Sequence, residues 1–276
     1  MIAIVLGFGS SVSWGVADFL GGLQSRRLPV MNVLVGSQLS GLALIATIVA
    51  LRGEGPPGGD WAVFAALSAL AGVVGLAAFY RGLAIGNMGI VAPISSTAAV
   101  IPLAIGIATG DRPDALESAG LALALGGVVL ASREEVGGGR VAPGAGMAIV
   151  SALGFGFFFA TIDRASDGDV LWAIFINRIT GVSLLIAAAL VLRPAIAARR
   201  ADLPLLGLIG VLDITANVMF AVASTKGLIS LVAVLGSLYP ITTIALARAV
   251  LGERPHRVAQ VGVTAALVGV VLIAAG

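Results

Sequence analysis

The chain repeats itself. Gly110-Asp111-Arg112-Pro113 is followed by Gly120 and then by Gly127-Val128-Val129-Leu130, and Gly252-Glu253-Arg254-Pro255 is followed at the same spacings by Gly262 and Gly269-Val270-Val271-Leu272. Shared composition accounts for two Gly-Val-Val-Leu runs among Ala/Gly/Val/Leu-rich helices, but not for a charged tetrapeptide at constant spacing. The copies lie in a chain that is 59% hydrophobic and 11% charged, with a mean hydropathy of +1.09. A soluble domain carries about 25% charged residues. The repeated unit therefore has to fold inside a bilayer, where helices and closed barrels are the spanning structures that satisfy their own backbone.

Apolar stretches of about 20 residues, the length that crosses a bilayer, predict ten helices at 2–22, 30–51, 61–81, 89–109, 115–132, 144–162, 170–192, 204–225, 228–249 and 256–275. The first lacks a basic leader and a small-residue cleavage site, so it reads as a retained span. Short breaks between helices favour antiparallel neighbours. The polar, glycine-rich stretch Arg133–Pro143 falls at the midpoint. It divides the chain into a first five-helix repeat (1–135), a linker (136–143) and a second five-helix repeat (144–276). Ser40-Gly41 matches Thr180-Gly181, while Gly89 and Pro102 match Gly227 and Pro240. Because five is odd, consecutive copies enter the membrane from opposite sides. The expected fold is an all-α membrane protein of ten transmembrane helices in two inverted five-helix repeats, a common transporter plan with the substrate path between the halves. Gly82/Gly86, Gly106/Gly110, Ala122/Gly126 and Gly262/Ala266 have small-xxx-small spacing, read as tight internal packing.

The inventory of reactive groups is short. There is no cysteine, and the single histidine, His256, sits beside a predicted helix start. Thiol chemistry is excluded, no ligand set for a metal surrounds the histidine, and no cofactor is expected. No Gly-x-x-x-x-Gly-Lys-Ser/Thr or His-Glu-x-x-His motif occurs. The arginines are scattered among loops, so nucleic acid is not an expected partner.

Ten spans as five plus five, Trp14-Gly15 with Phe19 in helix 1, and the paired Gly-Asp/Glu-Arg motifs resemble the EamA-type branch of the drug/metabolite transporter superfamily. The resemblance covers essentially the whole chain and is most specific from Ser237-Leu238-Tyr239-Pro240 to Gly252-Glu253-Arg254. The first copy departs from it, with Asp111 where Glu is usual. The resemblance implies a secondary transporter, often an exporter of amino acids, related metabolites or drugs. It also implies a multi-pass protein of the plasma (inner) membrane with both termini inside.

An ionisable residue within a membrane helix is costly and usually has a partner or a task. Asp18, Arg178 and Asp213 stand out. Helical spacing puts Gly7, Ser11, Trp14 and Asp18 on one face of helix 1, and Asp213 and Asn217 on one face of helix 8. In one reading these groups line a cavity, with Arg178 taking an anionic group and Asp18 or Asp213 taking an ammonium group or carrying a proton. In the other, Arg178 and Asp213 are an internal pair, and Asp18 is solvated at the interface. Gln38, Tyr80, Ser95, Ser96, Thr97, Ser237 and Tyr239 are secondary cavity candidates, and Pro102 and Pro240 are candidate hinges. The paired Asp111-Arg112 and Glu253-Arg254 read as helix-end structure.

Lysines and arginines number eleven in the loops after helices 1, 3, 5, 7 and 9, and four in the loops after helices 2, 4, 6 and 8. The positive-inside rule then places both termini outside, against the orientation the resemblance implies. The latter is taken as the expectation. A transporter of small molecules, monomeric or dimeric in the bilayer and coupled or not to protons, is the leading functional class. A lipid-head-group flippase of the same fold is the alternative. A membrane-embedded enzyme is the least supported, for lack of clustered nucleophiles, bases or metal ligands.

Overall fold

The computed structural model describes residues 2–101, 115–131, 142–166, 168–224, 226, 235–236, 238–254 and 256–275. Among them are ten α-helices: α1 (Ile2–Ser25), α2 (Val30–Arg52), α3 (Trp61–Ile85), α4 (Met88–Ser96), α5 (Ala115–Ala131), α6 (Ala145–Ser166), α7 (Val170–Leu192), α8 (Leu203–Ser224), α9 (Tyr239–Leu251) and α10 (Arg257–Ala275). No strand occurs among these residues. Six helices, α1, α2, α3, α6, α7 and α8, are long and apolar enough to cross a membrane. Their outward faces carry exposed Val5, Phe8, Leu70, Phe157, Leu190 and Val211. Apolar side chains on the outside of apolar helices are what a hydrocarbon solvent requires.

The proline-bearing helices differ from the expectation. Helix 4 was expected over 89–109; the α-helix runs to Ser96 with Pro93 inside it, a 3-10 turn interrupts at Thr97–Ala99, and helical backbone resumes at Val100 and Ile101, beyond which the expected span lies outside the described residues. Helix 9 was expected over 228–249; Leu235 and Gly236 are helical, Leu238 is a turn, and a helix runs from Tyr239 to Leu251 with Pro240 in its first turn, while 227–234 lie outside the described residues. Proline has no N–H and clashes with the preceding turn, so it suits a helix start better than an interior. Pro240 therefore opens a helix. Pro102, Ser237, Gly110–Pro113 and most of the linker lie outside the described residues.

The packing has an internal two-fold pattern. α1 packs on α8 as α6 packs on α3, α2 on α8 as α7 on α3, and α1 on α9 as α6 on α4. The contacts α2–α7, α4–α9 and α5–α10 map onto themselves when helix n is exchanged with helix n+5. The repeated glycines explain the last of these. A Cβ on Gly127 would fall 2.7 Å from the Gly262 carbonyl oxygen, and one on Gly269 would fall 2.7 Å from the Gly120 carbonyl oxygen. The same four glycines that mark the repeat in the sequence thus bring α5 and α10 into backbone contact, where dispersion between close helices replaces the hydrophobic effect. Gly75 and Gly154 do the same for α3 and α6, with a Cβ on Gly154 lying 2.6 Å from the Gly75 Cα. Gly82 and Gly86 abut Gly144 and Pro143 at the start of α6.

Polar clasps tie the helix ends. At one end, Arg26 donates to the Leu83 and Gly86 carbonyls (3.2 and 3.1 Å) and pairs with Glu253 at 2.5 Å. The other Glu253 oxygen accepts the Met88 N–H at 2.7 Å, capping α4. The glutamate of the repeated motif is therefore a structural group joining α1, α3, α4 and the α9–α10 turn. Gly252 closes α9 in the left-handed conformation (φ 68°), which glycine adopts without strain. His256 Nδ1 accepts the Ala259 N–H at 3.3 Å at the start of α10.

At the opposite end, Asp169 caps α7 by accepting the Trp172 N–H at 3.0 Å, and it pairs with Arg52 at 2.6 Å. Partial burial raises the Asp169 pKa, but the Trp172 N–H and the Arg52 guanidinium outweigh it and hold the carboxyl below its ordinary value. A depressed folded-state pKa gives stability that is full above the unfolded value of about 3.9 and is lost as pH falls through the folded value. Asp169→Ala is expected to cost about 0.5–2 kcal/mol near pH 7, as cap removals do. In thermal unfolding of detergent-solubilised protein, the difference from the parent should shrink below pH 4. A pH-independent difference would assign the cost to packing.

Candidate functional site

The buried charges gather where α2, α7 and α8 meet. Arg178 of α7 is 5% exposed and Gln38 of α2 is 7% exposed. The Arg178 guanidinium donates through Nη2 to Asp213 Oδ2 of α8 at 2.7 Å, and through Nη1 to Gln38 Oε1. Its Nε has no partner among the described residues. Asn217, one turn after Asp213, donates to the Asp213 carbonyl (2.7 Å) and carboxylate (3.4 Å). Asn177 turns away and donates to Ser68 Oγ of α3 at 2.7 Å.

Small residues make this meeting possible. Gly41 packs against the Gly210 carbonyl, and a Cβ there would lie 3.7 Å from the Arg178 Cζ. Gly210 lies against the Ser37 carbonyl, and Ser40 Oγ donates to the Ser37 and Gly207 carbonyls. Of the two readings of Arg178 and Asp213 open in the sequence, the internal pair is the arrangement present.

Asp18 is arranged differently. It is 8% exposed, and no hydrogen bond or ion pair reaches it among the described residues. Its carboxylate interacts electrostatically with Asp213 and with the hydroxyl groups of Tyr80 and Tyr239. Tyr80 of α3 is 1% exposed, with its ring against Gly21 of α1, where a Cβ would collide with it. Tyr239 is 9% exposed, and its hydroxyl has no partner among the described residues. Interfacial solvation does not describe an aspartate enclosed to this degree.

One turn from Asp18 on α1, Trp14 stands in a triangle of rings. Its centroid is 5.5 Å from Phe220 of α8 and 6.5 Å from Phe159 of α6, and those two are 5.9 Å apart. Gly236 leaves room for the triangle: a Cβ there would meet Phe220 at 2.9 Å and Trp14 at 3.6 Å. Phe159 and Phe220 were missed by sequence reasoning. Phe159 ends a Phe-Phe-Phe run in an apolar helix, so nothing in polarity distinguishes it from lipid-facing neighbours.

The hydroxyl candidates on α4 serve the backbone. Ser96 Oγ donates to the Pro93 carbonyl (2.8 Å), Thr97 Oγ1 to Ile94 (2.7 Å) and Ser95 Oγ to Ala148 of α6 (3.4 Å). A groove of about 560 Å³ on the outer face of α3 and α6, lined by residues such as Leu67, Leu70, Val74, Leu153 and Phe157, contains none of the candidate site residues. Among the described residues, no group of three or more His, Cys, Asp or Glu side chains is placed to hold a metal.

A bundle of apolar helices packed with an internal two-fold pattern and enclosing charged and aromatic groups is the architecture of a multi-pass membrane protein. The EamA-like transporter family model matches residues 1–133 and again 142–275. The chain belongs to that family, within the drug/metabolite transporter superfamily, whose members are transporters and not enzymes. Among solved structures, 27 chains match. One crystal structure has a TM-score of 0.67 at 15% identity, with 98% of this chain and 95% of that chain covered, a likeness of fold. No curated protein matches.

Proposed function

We propose that the protein is a secondary transporter of the plasma membrane that exports small amphipathic metabolites or drugs by alternating access. Its ten helices form two inverted repeats, 1–135 and 144–276, joined by 136–143, and it works as a monomer. The substrate path runs between the repeats past Trp14, Asp18, Tyr80 and Tyr239. Arg178, Asp213, Gln38 and Asn217 hold the wall of that path and do not take the ligand's charge.

The observation that carries this reading is the enclosed Asp18 carboxylate beside the Trp14–Phe159–Phe220 rings. An intramembrane acid with no counter-charge among the described residues suits a mobile one: a proton in one state, an ammonium group of the substrate in another. Aromatic faces add cation–π attraction and apolar contact. Net charge points the same way, because Asp213 already neutralises Arg178.

Alternating access is supported by a break in the two-fold pattern. α1 packs along α3, with Gly22 against Leu83, whereas no comparable packing joins α6 to α8 among the described residues beyond the Phe159–Phe220 ring contact. Inverted repeats that exchange two such arrangements open the path to alternate sides.

Trp14→Ala tests the site. Flux of aromatic substrates in proteoliposomes is expected to fall roughly tenfold, the change that about 1.4 kcal/mol of lost stacking produces. Aliphatic substrates should be less affected. Equal losses would make Trp14 a packing residue.

A further inference from the structure

The two polar clasps differ in what they cross. Arg52, Glu54 and Asp169 join the end of α2 to the start of α7. The α2–α7 contact maps onto itself when the repeats are exchanged, so that clasp can persist whichever end of the path is open. The clasp of Arg26, Glu253 and the Met88 N–H spans α1, the α3–α4 turn and the α9–α10 turn. It therefore crosses the α1–α3 contact, whose counterpart α6–α8 shows no comparable packing among the described residues.

One face of α1 carries that contact. Asp18, Gly21, Gly22 and Ser25 recur at three- and four-residue spacing, so they share it. Tyr80 seats against Gly21, and a Cβ on Gly22 would lie 2.8 Å from the Leu83 side chain and 3.0 Å from Met88 Cε. Arg26 closes the row by donating to the Leu83 and Gly86 carbonyls. α1 and α3 thus zip together from Asp18 outward. The ion pair lies at the mouth, with the Arg26 and Glu253 side chains 27% and 13% exposed. Beneath it two polar atoms go unmet. Gln24 and Ser25 are 2% and 7% exposed, and Gln24 Oε1 and Ser25 Oγ have no partner among the described residues. Buried polar atoms are nearly always hydrogen-bonded, so each exception calls for an explanation. Water entering from the mouth as α1 leaves α3 would satisfy both atoms. The closed arrangement carries their desolvation cost, and the ion pair with its bonds to Leu83, Gly86 and Met88 opposes it.

We propose that Arg26 and Glu253 form the lock of a gate. While paired they hold α1 against α3 and α4 and close the path at this end; the pair parts when the path opens there and water reaches Gln24 and Ser25. The inference rests on the alternating-access reading above. A pair at the mouth, within reach of water, can part without leaving either charge buried, which an enclosed pair such as Arg178–Asp213 cannot do. The closed and open arrangements are then two populations that the lock biases.

The chain has no cysteine, so Ser25→Cys, a sulfur for the native oxygen, reports on the gate alone. In full-length protein in nanodiscs, where both faces meet water, a water-soluble maleimide is expected to label Ser25→Cys slowly. Glu253→Gln keeps an acceptor for the Met88 N–H but removes the charge. It should raise the labelling rate roughly tenfold, the population change that loss of a hydrogen bond between charged groups produces. Arg26→Gln, which leaves the α4 cap in place, should raise it as much. Arg52→Gln breaks the other clasp and should leave the rate unchanged. Fast labelling in the parent, or a rate that neither Glu253→Gln nor Arg26→Gln raises, overturns the lock. An equal rise with Arg52→Gln also overturns it, because the bundle would then be loosening as a whole. The readout needs no substrate. Unchanged labelling in protein that transports contradicts the lock alone, whereas a folded parent that transports nothing in proteoliposomes contradicts the transport reading.

Discussion

Asp213→Ala is expected to destabilise the protein by about 3–5 kcal/mol, the range for removing one partner of a buried ion pair. The size follows from what is left behind. The Arg178 side chain is 6% exposed, its Nε has no partner among the described residues, and without Asp213 the hydrogen-bond partner left to it among them is Gln38. A guanidinium does not lose its proton to escape. The companion Arg178→Met/Asp213→Leu variant removes both charges and keeps the volume. It is expected to recover most of the loss, because well-packed apolar replacements of buried pairs are often neutral or stabilising. Denaturant unfolding in detergent, run as a double-mutant cycle, measures both. A single-variant cost below 1 kcal/mol would contradict the pair's place in the wall. A recovered double variant that still transports would separate that structural role from ligand binding.

The second large effect belongs to Asp18→Asn, expected to leave stability within about 1 kcal/mol of the parent, since no pair among the described residues is broken and the shape is conserved. Flux of cationic substrates should fall tenfold or more, as loss of roughly 1.4 kcal/mol or more of charge attraction implies, and its dependence on an imposed pH gradient should vanish. Retained gradient dependence would move the proton elsewhere. A large loss of stability would make Asp18 a structural acid with a counter-charge of its own.

What the sequence made legible depended on contrast. A charged tetrapeptide in apolar sequence stands out, and so the duplication was visible. The packing consequence of Gly120, Gly127, Gly262 and Gly269 follows from it. Asp18, Arg178 and Asp213 stand out because charges are rare in membrane helices. The assignment of partners was not legible: whether Arg178 faced Asp213 or a ligand depended on how closely α2, α7 and α8 approach, set by Gly41 and Gly210. Phe159 and Phe220 had no contrast at all. The interruptions inside helices 4 and 9, at Thr97–Ala99 and before Tyr239, were not legible because apolar sequence continues through them, where proline and local hydroxyl bonds override hydropathy.

The central claim is that this protein moves a small charged, partly apolar molecule through the membrane past Asp18. Reconstitution into proteoliposomes tests it most directly, with a panel of labelled amino acids and aromatic organic cations, with and without a pH gradient, and Asp18→Asn measured in parallel. The account predicts flux of at least one cationic or zwitterionic compound that Asp18→Asn abolishes. Folded, reconstituted protein that moves none of the panel, or moves it equally well with Asn at position 18, would contradict it.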